Sequence, residues 1–105
     1  MLKTLERDEE LDFFLNPNSQ LVLVKFFTSW CRPCQQLQIN IEKLLTEGEK
    51  LTVLSVDAEK LPYLTQRIQF NVQSVPALFL FFHGKLVREF RGYLNISDLR
   101  EFVKL

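Results

Sequence analysis

Hydrophobic positions along the chain change their period several times, and each change predicts an element. Leu11, Phe14 and Leu15 fall on one helical face behind Asp8, which can cap a first helix, and Asn16-Pro17-Asn18-Ser19 ends it. Leu21 to Phe27 is an apolar run of strand length, rich in Val and Phe and interrupted only by Lys25, as expected of a central strand covered on both faces. Cys34, Leu37, Ile41, Leu44 and Leu45 then recur at helical spacing until Gly48, a C-terminal cap. Leu51 to Val56 reads as a second buried strand, and a helix carrying Leu64 and Ile68 on its inner face follows Pro62. Ala77 to Phe82 is the most apolar run. His83-Gly84 makes a tight turn after it, and Leu86 to Arg91 alternates as an antiparallel edge strand. Ser97 is placed to cap a closing helix with Leu99, Phe102 and Val103. After the first helix the order is β-α-β-α-β-β-α, which predicts an α/β fold: a central mixed β-sheet flanked by helices on both faces.

With 105 residues and no linker, repeat or low-complexity tract, residues 1–105 are expected to form a single domain large enough to bury a core. Ten Phe residues make that core bulky. Thirteen basic residues balance thirteen acidic ones, so the chain lacks the charge needed to hold a phosphate backbone or an anionic membrane, and it is expected to act as a monomer with neither as partner. Met1 to Glu10 is charged from Lys3 onward and lacks the pattern of a secretory signal, and no run approaches membrane-spanning length; a cytoplasmic location is expected. In that reducing setting two cysteines are more useful as reactive groups than as a permanent staple. With His83 as the one histidine, soft ligands are too few for a four-coordinate zinc site, and no metal is expected.

The cysteines fall in Trp30-Cys31-Arg32-Pro33-Cys34, between a buried strand and an amphipathic helix. Cys31 thus stands where backbone N–H groups lack intrahelical partners, which stabilises a thiolate. A free thiol of pKa about 8.5 is only about 3% ionised at pH 7; lowering it by one to two units takes roughly 1.4 to 2.7 kcal/mol, within reach of a helix end assisted by direct hydrogen bonds. Residues three apart share a helix face, so Cys34 can close a disulfide with Cys31. The expected cycle is attack by the Cys31 thiolate on a substrate disulfide, a mixed disulfide, and displacement of the reduced substrate by Cys34. Pro33, in the first helical turn, stiffens the loop without losing a needed N–H. Two small buried core cysteines are the plainer alternative.

Three separated features, Trp30-Cys31-Arg32-Pro33-Cys34, Ser74-Val75-Pro76-Ala77 and Gly92, make nearly the whole chain resemble the thioredoxin family. The resemblance implies the thioredoxin fold and the activity of a thiol–disulfide oxidoreductase on protein disulfides. It also implies no bound cofactor beyond the redox-active Cys31–Cys34 disulfide, with electrons from NADPH through a flavin-dependent thioredoxin reductase. It implies a cis Val75-Pro76 bond facing the cysteines, with Val75 offering its backbone to an extended substrate segment. Trp30, Pro76 and Gly92 would complete an apolar rim, and Asp57 would accept a hydrogen bond from the Trp30 indole. The bland alternative makes Trp30 core and Asp57 a strand-end turn residue.

Departures from the family pattern are equally specific. A buried Asp commonly stands five residues before the Trp and accepts a proton from the second cysteine; here Lys25 occupies that place. Such a lysine must snorkel, pair with an acid or sit neutral behind Cys34, and either it acts electrostatically on Cys34 or it is purely structural. A family Lys on the next strand is replaced, by Val53 on the simplest alignment. Arg32 stands for the commoner Gly and is expected to lower the Cys31 pKa and make the couple more oxidising, unless solvent screens it. Ile39 replaces a helix-kinking Pro, which predicts a straighter helix, and Tyr93 after Gly92 is placed to narrow or stack on the rim. A general disulfide reductase is the leading reading. A dedicated redox partner of one protein, or a binding module on the same fold, are the alternatives.

Overall fold

The computed structural model describes residues 1–67 and 69–105; the expectation for Ile68 lies outside the described residues. Two strands carry the centre because nearly every position in them is apolar. In β2 (Leu21–Phe27) Val22, Leu23, Val24 and Phe26 are buried, and in β4 (Ala77–Phe82) only Phe82 is not. Around them lie β1 (Leu2–Thr4), β3 (Thr52–Asp57) and β5 (Lys85–Arg91), in the sheet order β1-β3-β2-β4-β5. β1, β3 and β2 run parallel, β4 is antiparallel to β2, and β5 is antiparallel to β4 at the open edge. The sheet is mixed and β2 is its middle strand, as its sequence predicts.

Alternation along the strands divides the core into two layers. Val22, Val24, Phe26, Leu54, Val56 and Phe79 pack with Leu11 of α1 (Glu10–Phe14) and Leu64 of α3 (Pro62–Gln66). Here the aromatic composition is used: the rings of Phe26, Phe70 and Phe79 meet pairwise at 4.9 to 5.6 Å between centroids. On the other face Leu23, Val53, Leu78 and Leu80 pack with Leu37, Ile41 and Leu44 of α2 (Arg32–Thr46) and Leu99 and Phe102 of α4 (Ile96–Phe102). Helices therefore cover both faces.

Local signals explain most boundaries. The β4–β5 turn takes φ of +53° at His83 and +79° at Gly84, and a Cβ at Gly84 would stand 2.9 Å from the Asn16 backbone, so only glycine fits there. α2 ends at Gly48 in the left-handed region, its amide donating to Leu45 O. Two expectations need correction. Asp8 does not cap α1: Glu9 is the N-cap without a side-chain bond, and Glu10 Oε1 instead accepts from the Glu6 and Arg7 amides. Asn95, not Ser97, caps α4, its Oδ1 accepting from Asp98 N at 2.8 Å; Ser97 already lies inside the helix. β1 was not foreseen, because three residues with a central lysine carry no period, and pairing with β3 is what makes them a strand.

Candidate active site

β2 delivers the chain to the top of the sheet, and the loop Thr28-Ser29-Trp30 turns it into α2. Cys31 is the N-cap of α2, with extended backbone angles and its amide donating to Thr28 O. Its Sγ accepts from the Cys34 amide at 3.2 Å, so the capping atom of this helix is a cysteine sulfur. Cys31 and Cys34, with Cα atoms 5.3 Å apart, are joined as a disulfide, and both are almost fully buried. Arg32 and Pro33 occupy the first two helical positions and are exposed. α2 continues unbroken through Ile39, which is exposed.

The Val75–Pro76 peptide bond is cis and brings the Val75 carbonyl oxygen to 3.9 Å from Cys31 Sγ. Gly92 braces this loop from the end of β5: its amide donates to Pro76 O at 2.9 Å from a backbone at φ +138°, a conformation that side-chain-bearing residues rarely adopt. Together these elements border an open cleft of about 500 Å³ walled by Trp30, Cys31, Arg32, Gln73, Ser74 and Val75. Pro76 is buried, and Pro76, Gly92 and Tyr93 contribute no wall to it. Tyr93 is instead tied to α2, its hydroxyl accepting from Asn40 Nδ2, which also donates to Leu94 O.

Trp30 is 69% exposed, so it is not a core residue. Its indole does not donate to Asp57. It donates to Glu59 Oε2 at 3.3 Å, while Asp57 Oδ1 is occupied by the amides of Glu59 and Lys60 as the residue that turns the chain after β3. The turn takes up the buried carboxylate and leaves the exposed one, two residues on, for the indole. Glu59 was legible as an acid in the right loop, but nothing local separates it from Asp57.

On the other side of the cysteines lies a second open cavity, about 450 Å³, between α2 and the β1–β3–β2 half of the sheet; Lys25, Cys34, Gln38 and Ser55 line it. Lys25 is 4% exposed. Its Nζ donates to Gln38 Oε1 and lies 5.0 Å from the centroid of the Phe27 ring. Gln38 Nε2 in turn donates to Glu42 Oε2. Lys25 therefore neither snorkels nor pairs directly with an acid: a neutral amide holds it, and burial pushes its pKa down to about 8, with Glu42 pulling weakly the other way. Its neighbour on β3 is Ser55, whereas Val53 stands opposite Leu23. Gln38 escaped the sequence reading, although its spacing of four from Cys34 places it on the same helix face. Among the described residues no cluster of three His, Cys, Asp or Glu side chains could hold a metal, and no helix is long and apolar enough to cross a membrane.

Comparison with known proteins agrees with this geometry. The thioredoxin family model matches residues 3–105. Over 87 residues the chain is 38% identical to the thioredoxin of Chlamydia trachomatis, covering 83% of this chain and 80% of that protein. The thioredoxin of Chlamydia muridarum is 40% identical over 87 residues with the same coverage, 83% and 80%. A mutant thioredoxin from Halobacterium salinarum superposes with a TM-score of 0.84 at 29% identity, covering 99% of this chain and 92% of that one. A bonded cysteine pair is what the redox readings require and the binding-module alternative does not. With that pair capping α2 beside the cis-proline loop, and with relatives alike along most of its length, the chain belongs to the thioredoxin family and is a thiol–disulfide oxidoreductase of the disulfide-reductase type.

Proposed function

We propose that this oxidoreductase reduces protein disulfides as a cytoplasmic monomer, with Cys31 as attacking thiolate, Cys34 as resolving thiol, and NADPH as electron source through a flavin-dependent thioredoxin reductase. The observation that carries the division of labour is that the two cysteines border different openings. Cys31 lines the cleft with Trp30 and Val75, whereas Cys34 lines the cavity on the opposite side. A substrate disulfide entering the cleft meets Cys31 first.

The cycle then follows from the geometry. The Cys34 amide and the positive end of the α2 dipole stabilise the Cys31 thiolate, which attacks one substrate sulfur and expels the other as thiolate. An extended substrate segment lies along Val75, whose carbonyl oxygen already stands 3.9 Å from the attacking sulfur, and packs on the exposed Trp30 ring. Pro76 and Gly92 hold that loop in place through their backbone hydrogen bond. Cys34 displaces the second substrate thiol and regenerates the disulfide, so that two electrons have passed to the substrate. The test is NADPH consumption in the presence of a thioredoxin reductase, this protein and a reducible protein disulfide. Consumption that requires all three is expected; consumption independent of this chain would sink the proposal.

Arg32 borders the same cleft, exposed and next to Cys31. A fixed positive charge there favours the thiolate and therefore the reduced form, making the couple more oxidising. Replacing Arg32 with Gly is expected to lower the reduction potential by about 10 to 30 mV, the range left to a charge partly screened by solvent. A potential equal to or above the parent's, measured against a glutathione series, would show that the charge is screened out.

A further inference from the structure

The cavity behind the disulfide holds a charged group that the cycle above does not use. Cys34, which has no wall in the substrate cleft, shares this cavity with the Lys25 ammonium. We infer that Lys25 is the counter-ion of Cys34 in the resolving step: its buried ammonium favours the Cys34 thiolate once Cys31 is tied up in a mixed disulfide. The inference rests on Cys34 being the resolving thiol and adds what activates it.

The surroundings favour this role because they leave the charge uncompensated. Ser55 flanks Lys25 on β3, Leu78 flanks it on β4, and Thr4 of β1 and Gln38 and Ile39 of α2 border the cavity; all are neutral. The acid that acts on Lys25 is Glu42, reached only through Gln38 and exposed to solvent, where its charge is screened. Asp57, farther along β3, spends Oδ1 on the Glu59 and Lys60 amides. An ammonium held by a neutral amide and an aromatic face keeps its attraction for a second anion, and in a half-enclosed cavity that attraction is stronger than in water.

In the step itself Cys34 releases its proton to solvent and its thiolate attacks Cys31 Sγ. The Cys31–Cys34 bond forms, the bond from Cys31 to substrate sulfur breaks, and the leaving thiolate takes a proton from solvent. Lys25 changes no bond. Its effect is largest while it is protonated and fades at high pH as Lys25 loses its charge and Cys34 ionises unaided; the pKa of about 8 belongs to the disulfide form, and a Cys34 thiolate that Lys25 stabilises raises it in turn.

Stopped-flow reaction of the reduced protein with dithiobis(nitrobenzoate) reads both steps, since attack by Cys31 releases the first nitrothiobenzoate and resolution by Cys34 the second. If Lys25→Met raises the Cys34 pKa by one to two units, the lower thiolate fraction, offset by greater intrinsic nucleophilicity, slows the second phase about 3- to 15-fold at pH 7. The first phase is expected to change less than twofold, Lys25→Arg to restore the second phase, and the deficit of Lys25→Met to close as pH rises past the Cys34 pKa of the variant. A second phase within twofold of wild type, or equal slowing of both phases, overturns the role of Lys25 while leaving Cys31 chemistry intact. Loss of the first phase in the wild-type protein would remove the Cys31 assignment and this inference with it.

Discussion

Replacing Cys31 with Ser is expected to abolish disulfide turnover, a loss of at least about 10³-fold, while replacing Cys34 with Ser leaves attack intact and stalls the protein as a mixed disulfide with its substrate. Both substitutions break the same Cys31–Cys34 bond and exchange one atom, so a purely structural role for the disulfide would make them equivalent. The difference comes from position. Cys31 caps α2, accepts the Cys34 amide and opens to the cleft beside Val75, whereas Cys34 opens to the cavity of Lys25. A serine hydroxyl at position 31 would keep the cap but is not ionised at neutral pH, so the helix end would have no nucleophile to stabilise. The measurement is paired: turnover of a model protein disulfide, and intact mass after incubation with that disulfide. The expected pattern is no turnover and no adduct for Cys31→Ser, against no sustained turnover and one covalent adduct for Cys34→Ser. An adduct on Cys31→Ser with none on Cys34→Ser would reverse the assignment of the two sulfurs.

What could be read from the sequence was whatever a short window determines. The run from Leu21 to Phe27, the run from Ala77 to Phe82 and the His83-Gly84 turn are each set by neighbours a few residues apart, and they lie where expected. The cysteine pair is local too: a strand end, a helix start and a spacing of three bring both sulfurs to one place without help from the rest of the chain. The error at the site has a non-local cause. Asp57 in place of Glu59 is a displacement of two residues at the end of β3. Alternation shows which face of a strand a residue occupies but not which rung, and a slip of two preserves the face while moving the side chain about 6.6 Å along the strand. The rung is decided by pairing with β2, a contact between segments some thirty residues apart. β1 belongs to the same class, since Leu2–Thr4 becomes a strand only through hydrogen bonds to β3. At α4 the ambiguity is of another kind: Asn95 and Ser97 are both capping residues, and the path of the chain after Gly92 determines which meets the first free amide.

The buried charge that assists resolution also carries a cost in stability, and the cost has a sign that can be measured. Lys25→Met is expected to make the oxidised protein more stable by about 2 to 3 kcal/mol at pH 7. Methionine is one atom shorter but keeps the unbranched apolar stem between Leu78 and Ser55, so little packing is lost. What is removed is a charge that burial disfavours: the Lys25 pKa falls from 10.5 to about 8 on folding. Below about pH 8 the lysine is protonated in both the folded and unfolded chains, and the whole penalty falls on the native state. Between about 8 and 10.5 the folded protein gives up the proton while the unfolded chain still holds it, so wild-type stability recovers relative to the variant as pH rises. Above 10.5 both forms are neutral and the penalty is gone. Denaturant unfolding of both proteins at pH 7 and near pH 10 is therefore expected to show the gap shrinking to about 1 kcal/mol or less. A gap that does not change with pH would assign the difference to packing. A variant less stable than wild type at pH 7 would mean that the Gln38 hydrogen bond and the Phe27 contact outweigh desolvation. The predicted result, a protein more stable yet slower to release its substrate, follows from one ammonium acting on both the fold and Cys34.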